Sequence, residues 1–523
     1  MTTLDASEAA GAAPEDERSV PVPAGVALAA IVLAGLALRL YHLDAQSVWY
    51  DEAFTIAQSG KPLGALFAAL VAEGGRHPPL HYWLLHGWFG LTGFGAQPAR
   101  LLSVVFGTLS LPVLYFLARR FAGTSTALAA VLLLAVSQMA VYFSQEARSY
   151  MAAQFLALVT AYAFVGLLSR PTLARTAAFA AAALALLATH YYGAATLVAL
   201  GLYWLLFRRD YSPLVPGRLV LAAGLAGLLY APWPLALRSS AEARPERIFQ
   251  ERDESEQPSI LAPAMALNRF NNGKLTSVEA PSSPWSVALG LGIFTVPILA
   301  AFWTVRRRPT APGPATPSDA AARRRLHGLV LGGLLAALPV ALAMAFGVLG
   351  ATFNYRHYSF AVPGYYLAVA IAWQICFPGR ALRGGWLVAA LAWSAVALSA
   401  NYRVPTKPDY RAALAPMAAA YRAGDCVVTR PNIWHDAMHL AWDVYYRDRG
   451  SPRVVPFAAL PGGLVGCERL WVVWDSTWWM NRDAAERART AQVLAALAPA
   501  FALSEAHPHP AIDVRLYRRN RAP

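Results

Sequence analysis

Apolar residues run in long blocks along most of the chain, with little of the alternation that marks half-buried strands. The blocks fall at roughly 23–41, 99–118, 124–143, 150–168, 176–190, 192–207, 217–237, 285–305, 326–349, 360–377 and 385–400. Most approach the ~20 residues that carry a helix across a bilayer. The pattern therefore predicts about eleven transmembrane helices. The interval 42–98 is mixed: an amphipathic stretch lies near 62–72, and RHPPLHYWLLHGWFG covers 76–90. That aromatic segment is short, and it predicts a helix lying at the membrane interface, where Trp and Tyr settle. After residue 400 the periodicity changes. DCVVTR (425–430), RLWVVWD (469–475) and VRLYRR (514–519) predict buried strands, and 409–422, 436–448 and 483–497 predict helices. Their alternation predicts a small C-terminal α/β domain over 401–523. Residues 1–22 are polar, acidic and rich in Ala and Pro, which predicts a disordered tail. They lack the basic start and cleavage site of a signal peptide, so the first span is expected to remain as an anchor.

Composition agrees with a polytopic membrane protein. The chain is 57% hydrophobic and 14% charged, with mean hydropathy +0.39; soluble domains carry about 25% charged residues. The net charge of +14 has a topogenic explanation. Fifteen arginines lie in one set of short connections: Arg119, Arg120, Arg170, Arg175, Arg208, Arg209, Arg218, Arg306–Arg308, Arg323–Arg325, Arg380 and Arg383. The opposite connections, 42–98, 144–149, about 190, 238–284 and 350–359, are longer or carry acids. The positive-inside rule makes the arginine side cytoplasmic. The tail 1–22 is then cytoplasmic, and an odd number of spans puts 401–523 outside. A full span at 79–94 would reverse every later assignment. This basic balance needs no nucleic acid as partner.

Cys376 lies within a span, while Cys426 and Cys467 lie in the exported part. An oxidising compartment permits a disulfide between them; two buried unpaired thiols are the alternative. The chain shows no Walker motif, no convincing GxGxxG and no internal repeat, so ATP-driven transport by this chain alone has no support in the sequence. The segment PTAPGPATPSDAAA (309–322) is a linker without chemistry.

Candidate chemistry gathers at the outer ends of the spans. SVWYDEAFT (47–55) sets Asp51 and Glu52 among Trp49, Tyr50 and Phe54. A carboxylate with water partly excluded is costly unless it has a partner or a task. Deprotonating an acceptor hydroxyl is such a task. Arg76 and His77 precede a rigid Pro-Pro turn. SQEARSYM (144–151) supplies Glu146, Arg148 and Tyr150, and ATHYYGA (188–194) supplies His190 and Tyr191. NYRHYSFAVPGYY (354–366) supplies Arg356, His357 and Tyr358. Singly, each cation reads as an interfacial anchor. Together they suit a phosphate at headgroup level. A lipid tail, a phosphate and a sugar as the transferred group fit the set, with Asp51 and Glu52 as catalytic candidates and the others as substrate-binding candidates.

The Asp51-Glu52 pair in a first outer loop, the following HPPL (77–80) with its aromatic segment, and Arg119-Arg120 after the next span resemble glycosyltransferase family 39. That group includes the protein O-mannosyltransferases and the bacterial aminoarabinose transferases. The resemblance covers about 25–400. It implies a GT-C fold, a polyprenyl-phosphate sugar donor, an inverting displacement and an extracytoplasmic acceptor in a bacterial plasma membrane. It implies Asp51 as the base, Glu52 as its orienting neighbour and Arg356 near the donor phosphate. The aminoarabinose branch has an acid and a lysine before the two prolines; Arg76-His77 stand there instead, which argues against a lipid A acceptor and against a metal at this position. No cofactor is expected, although a carboxylate pair can ligate a divalent cation. A flippase for lipid-linked sugars would need a similar groove, but it favours broken polar helices and repeat symmetry. A scaffold protein would leave the acids without a task.

Overall fold

The computed structural model describes residues 22–243, 262–272, 284–306, 316–348, 354–429, 435–455 and, with gaps at 461, 476–490, 493, 496 and 511, residues 460–520. The tail 1–21, most of the linker and most of the helix expected at 483–497 lie outside them.

Helix α1 (Val22–Leu40) leads into three short helices, α2 (Tyr50–Ser59), α3 (Leu63–Ala72) and α4 (Leu80–Thr92). Then follow α5 (Ala96–Arg119), α6 (Thr124–Ala135), α7 (Gln138–Ser144), α8 (Tyr150–Ser169), α9 (Leu173–Thr189), α10 (Ala194–Phe207), α11 (Val215–Tyr230), α12 (Pro232–Ala243) and α13 (Ala262–Asn272). The last apolar helices are α14 (Pro284–Val305), α15 (Pro317–Val348), α16 (Tyr355–Cys376, whose opening turns are 3₁₀) and α17 (Arg380–Arg403). The chain is a multi-pass membrane protein. Among the described residues seven helices are long and apolar enough to cross a bilayer, and two bent pairs raise the number to nine. The expected spans 176–190 and 192–207 are helical but short, with 17 residues in α9 and 14 in α10. The aromatic segment α4 has 13 residues, as an interfacial helix should.

The expected span 124–143 is broken. Helices α6 and α7 meet at 57°, and the break frees carbonyls that lipid cannot satisfy. The buried Arg39 meets one, donating from Nη1 to Ala135 O at 3.2 Å, while its Nε donates to Ser144 Oγ at 3.1 Å. Gly107 of α5 faces the same point, where any Cβ would collide with Ser144 Oγ. The second bend, 42° between α11 and α12, follows from Pro232 and Pro234, which cannot continue an upstream hydrogen-bond ladder.

The C-terminal part holds α18 (Tyr410–Ala420), β1 (Cys426–Thr429), α19 (His435–Tyr445), β2 (Arg453–Val455), β3 (Arg469–Asp475), β4 (Phe501–His509) and β5 (Ile512–Arg519). The sheet order is β2-β1-β3-β5-β4, with β1 parallel to β2 and β3 and the remaining pairs antiparallel. Alternate residues of β3 serve two layers. Trp471 and Val473 pack under α18 and α19, while Leu470 and Val472 face Phe501 and the Cys426–Cys467 disulfide. The sequence reading missed β2 and β4. Only three residues make β2, and β4 carries Pro508, which the edge of a sheet tolerates.

This part docks on the first long loop. The Val48 amide donates to Tyr445 Oη at 2.7 Å, and the Thr406 amide donates to Gln46 Oε1 at 2.9 Å. Leu440, Val444 and Tyr445 close an apolar patch with Val48, Ala53 and Ile56. The first loop and the C-terminal part therefore pack directly against each other.

Candidate active site

Asp51 and Glu52 stand in the first turn of α2, where carboxylates favour the positive end of the helix dipole. Adjacent positions on a helix point roughly 100° apart, so the two acids have separate surroundings. Glu52 is fully buried. Arg100, near the start of α5, grips it with both arms, Nε to Oε1 at 2.9 Å and Nη2 to Oε2 at 3.0 Å. Lys407 Nζ adds 2.8 Å to Oε2, and the Ala147 amide donates to Oε1 at 2.9 Å. Arg100 also donates to the carbonyls of Leu43, Gln46 and Ser47, tying down the chain that leads into α2. Glu146, also buried, lies 3.4 Å from Lys407 Nζ. Two buried acids thus share two buried cations.

Burial alone would push the Glu52 carboxyl up, but Arg100 and Lys407 outweigh it and hold the group down at about 2. A carboxyl depressed on folding stabilises above its ordinary value of 4.5, and the benefit is lost as pH falls towards about 2. Docking of the C-terminal part on the first loop is therefore expected to hold between pH 7 and pH 5 and to fail between about pH 4.5 and 2. Limited proteolysis across that range checks this; release at pH 6 would contradict it.

Asp51 remains partly exposed. Arg356 Nη1 donates to its Oδ2 at 2.7 Å, and Arg148 Nη2 stands 4.0 Å away. Arg148 is buried, and its Nη1 donates to the Asp51 carbonyl at 3.0 Å and to Thr55 Oγ1 at 2.7 Å. Its Nη2 lies 3.2 Å from His77 Nε2. Burial first, and then the charge of Arg148, keeps His77 well below its ordinary value. The same two causes lower His190 to about 4, and burial, Arg148 and His190 lower His81 to about 3. These imidazoles are neutral at pH 7.

The structure brings Asp51, Glu52, His77, Glu146, Arg148, Tyr150, His190 and Arg356 into one neighbourhood. Tyr150 is buried there, its ring 6.0 Å from His190. Three expected residues sit around it. Arg76 is exposed. Tyr191 lies at the rim, its hydroxyl donating to Gly75 O at 2.6 Å and accepting from Trp233 Nε1 at 2.9 Å, so it steadies the turn before HPPL. Tyr358 faces inward, with its ring 5.9 Å from Phe270. The sequence reading missed Arg100, Lys407, Thr55 and His81. A signal was present for two of them. Arg100 opens a span at the end opposite the arginine clusters, and Lys407 is one of only three lysines, with Lys61 and Lys274.

Each of Asp51, Glu52 and Glu146 has an arginine or lysine within 4.0 Å.

Residues 76–234 match the family model described as dolichyl-phosphate-mannose-protein mannosyltransferase. No curated protein matches the chain in sequence. Among solved structures, the oligosaccharyltransferase of Archaeoglobus fulgidus tethered to an acceptor peptide is similar at TM-score 0.52 and 12% identity, over 95% of this chain and 74% of that one. The Archaeoglobus fulgidus oligosaccharyltransferase AglB in complex with an inhibitory peptide and a dolichol-phosphate gives 0.50 and 12%, over 92% and 72%. The chain has the GT-C fold. The GT-C architecture implied by the first-loop motif is the one observed. ArnT of Cupriavidus metallidurans, bound to undecaprenyl phosphate, shares 16% identity over 93% of this chain and 97% of that one, at TM-score 0.46. At these identities the likeness is one of fold. The family match begins at Arg76-His77, immediately before the prolines that position α4 beside Asp51.

Proposed function

We propose that this GT-C chain is a glycosyltransferase that moves a sugar from a polyprenyl-phosphate donor to an acceptor hydroxyl on the outer face of a bacterial plasma membrane. The observation that carries the reading is the Asp51 carboxylate, partly open to solvent and held between Arg356 and Arg148. The GT-C fold, the family match and the dolichol-phosphate in AglB support it.

In this mechanism the acceptor oxygen attacks the anomeric carbon as its proton passes to Asp51 Oδ2. The bond from that carbon to the phosphate oxygen breaks with inversion, and polyprenyl phosphate leaves with the electron pair. The leaving oxygens carry negative charge, which a guanidinium fork binds with two parallel hydrogen bonds. Arg356 is the group placed to supply it. While Arg356 donates to Asp51 Oδ2, that oxygen is occupied; once the donor phosphate takes the guanidinium, Oδ2 is open to the acceptor's proton. Glu52, clamped by Arg100 and Lys407, stays charged, and with Glu146 beside Lys407 it holds the loop in register. Under the same reading the arginine-rich ends of the helices face the cytoplasm.

The test is an assay of the purified full chain in lipid nanodiscs, supplied with polyprenyl-phosphate sugars and envelope extracts. Glycosylated product and free polyprenyl phosphate should appear in equal amounts. Donor that crosses a liposome bilayer intact, with no release of polyprenyl phosphate, would favour a flippase instead.

A further inference from the structure

The strap 404–409, between α17 and α18, sends one cation inward. The Lys407 side chain is 5% exposed. The strap is anchored on either side of it: Thr406 donates to Gln46 Oε1 from its amide and its hydroxyl, and Asp409 caps α18 by accepting from the Ala412 amide. An ammonium buried this far is costly unless it is paired. Lys407 Nζ meets two carboxylates from different elements, Glu52 on α2 at 2.8 Å and Glu146, in the turn between α7 and α8, at 3.4 Å. Both acids are tied to Asp51. Glu52 is the next residue in the chain. Glu146 precedes Arg148 by two positions, and Arg148 donates to the Asp51 carbonyl at 3.0 Å and stands 4.0 Å from its Oδ2. Lys407 thus pins together the two segments that set Asp51 against Arg148. Arg100 cannot take over this role. Its five N–H groups are engaged by Glu52 and by the carbonyls of Leu43, Gln46 and Ser47.

We propose that Lys407 is a positioning residue for the base Asp51, supplied by the C-terminal part, so that transfer requires that part to be docked on the first loop. The inference rests on the transferase reading and names what controls its site. Without the ammonium, Glu52 keeps Arg100. Glu146, whose side chain is 2% exposed, loses the cation that faces it. A buried carboxylate in that state turns towards water, and the turn that carries Arg148 moves with it. The other attachments of this turn remain: Ser103 Oγ donates to Glu146 O at 2.6 Å, and the Ala147 amide donates to Glu52 Oε1 at 2.9 Å. The result is a displaced base in a folded chain. Beside Lys407 lies a cavity of about 20 Å³, lined among others by His42, Gln46, Tyr142 and Gln145. It has room for about one water molecule, and truncating the lysine enlarges it enough for a small amine.

The test counts sites as well as turnover, on the full chain in nanodiscs at pH 7. Titration with bare polyprenyl phosphate, followed by tryptophan fluorescence, gives the number of intact sites, and kcat is taken per site. Lys407→Met should lower kcat per site by about 100-fold, the cost of a group misplaced by about 1 Å. The KM for donor should hardly change. A merely structural role would lower the number of sites and leave kcat per site as it was. Two further variants should recover turnover by different routes. Lys407→Met with Glu146→Gln removes the stranded carboxylate. Lys407→Ala admits ethylammonium, which should restore kcat per site saturably. Wild-type kcat per site in Lys407→Met overturns the proposal. So does a loss that neither Glu146→Gln nor ethylammonium reduces. If the wild type binds bare polyprenyl phosphate but turns over no donor, the transferase reading fails and this inference with it.

Discussion

Asp51→Asn is expected to cut transfer by about 10²- to 10⁴-fold, the range assigned to a positioned general base, and to leave the fold intact. The two halves of that expectation have separate physical grounds. Asparagine keeps the shape of aspartate and one acceptor oxygen, so Arg356 can still donate to residue 51. What it loses is basicity, and in the proposed displacement no other carboxylate nearby can take the acceptor proton, because Glu52 and Glu146 are committed to buried cations. The Asp51–Arg356 pair is partly exposed at both ends, with 19% and 25% of the side chains accessible. Ion pairs of that kind contribute about 1 kcal/mol or less. A thermal melt should therefore move by no more than a few degrees. Retention of wild-type transfer in Asp51→Asn would remove the base from the account; loss of folded protein would show that the residue is structural.

The second large effect concerns stability. Arg100→Met is expected to destabilise the chain by about 3–5 kcal/mol, the usual consequence of removing one partner from a buried pair. Glu52 would keep Lys407 but lose its two-armed grip, and the carbonyls of Leu43, Gln46 and Ser47 would lose their donor. The first loop meets the C-terminal part on these same residues, through Thr406, Lys407 and Arg411. The melt should fall by many degrees, and protease should cut between 403 and 410, where α17 gives way to α18. A double variant, Arg100→Met with Glu52→Gln, should recover part of the loss, because it no longer leaves a carboxylate short of a partner. Arg356→Met serves as the control, with a small change in the melt. If Arg100→Met melts like the wild type, the buried network does not hold the loop.

Much of this was legible in the chain. The apolar blocks located the helices, because lipid demands that backbone groups be satisfied within each segment. The strand at 469–475 was read at its observed bounds, since both of its faces are buried and its side chains are β-formers. The first-loop acids and the loops bearing Arg148, His190 and Arg356 were legible because charge at a membrane boundary is expensive. Other features depended on contacts distant in sequence. Lys407 reaches Glu52 across 355 positions, and no local pattern encodes that distance. The break between α6 and α7 likewise depends on Arg39, about 95 residues upstream. Its residues, Ala135, Val136 and Ser137, carry neither Gly nor Pro to announce it. His81 escaped notice because, in an aromatic helix, a histidine looks like one more amphipathic ring.

The most direct test of the central claim is a structure of the full chain in lipid with polyprenyl phosphate bound. The account predicts the phosphate oxygens about 3 Å from the Arg356 guanidinium, with that guanidinium withdrawn from Asp51 and the carboxylate open towards the acceptor side. A phosphate bound elsewhere, with Arg356 still on Asp51, would contradict it.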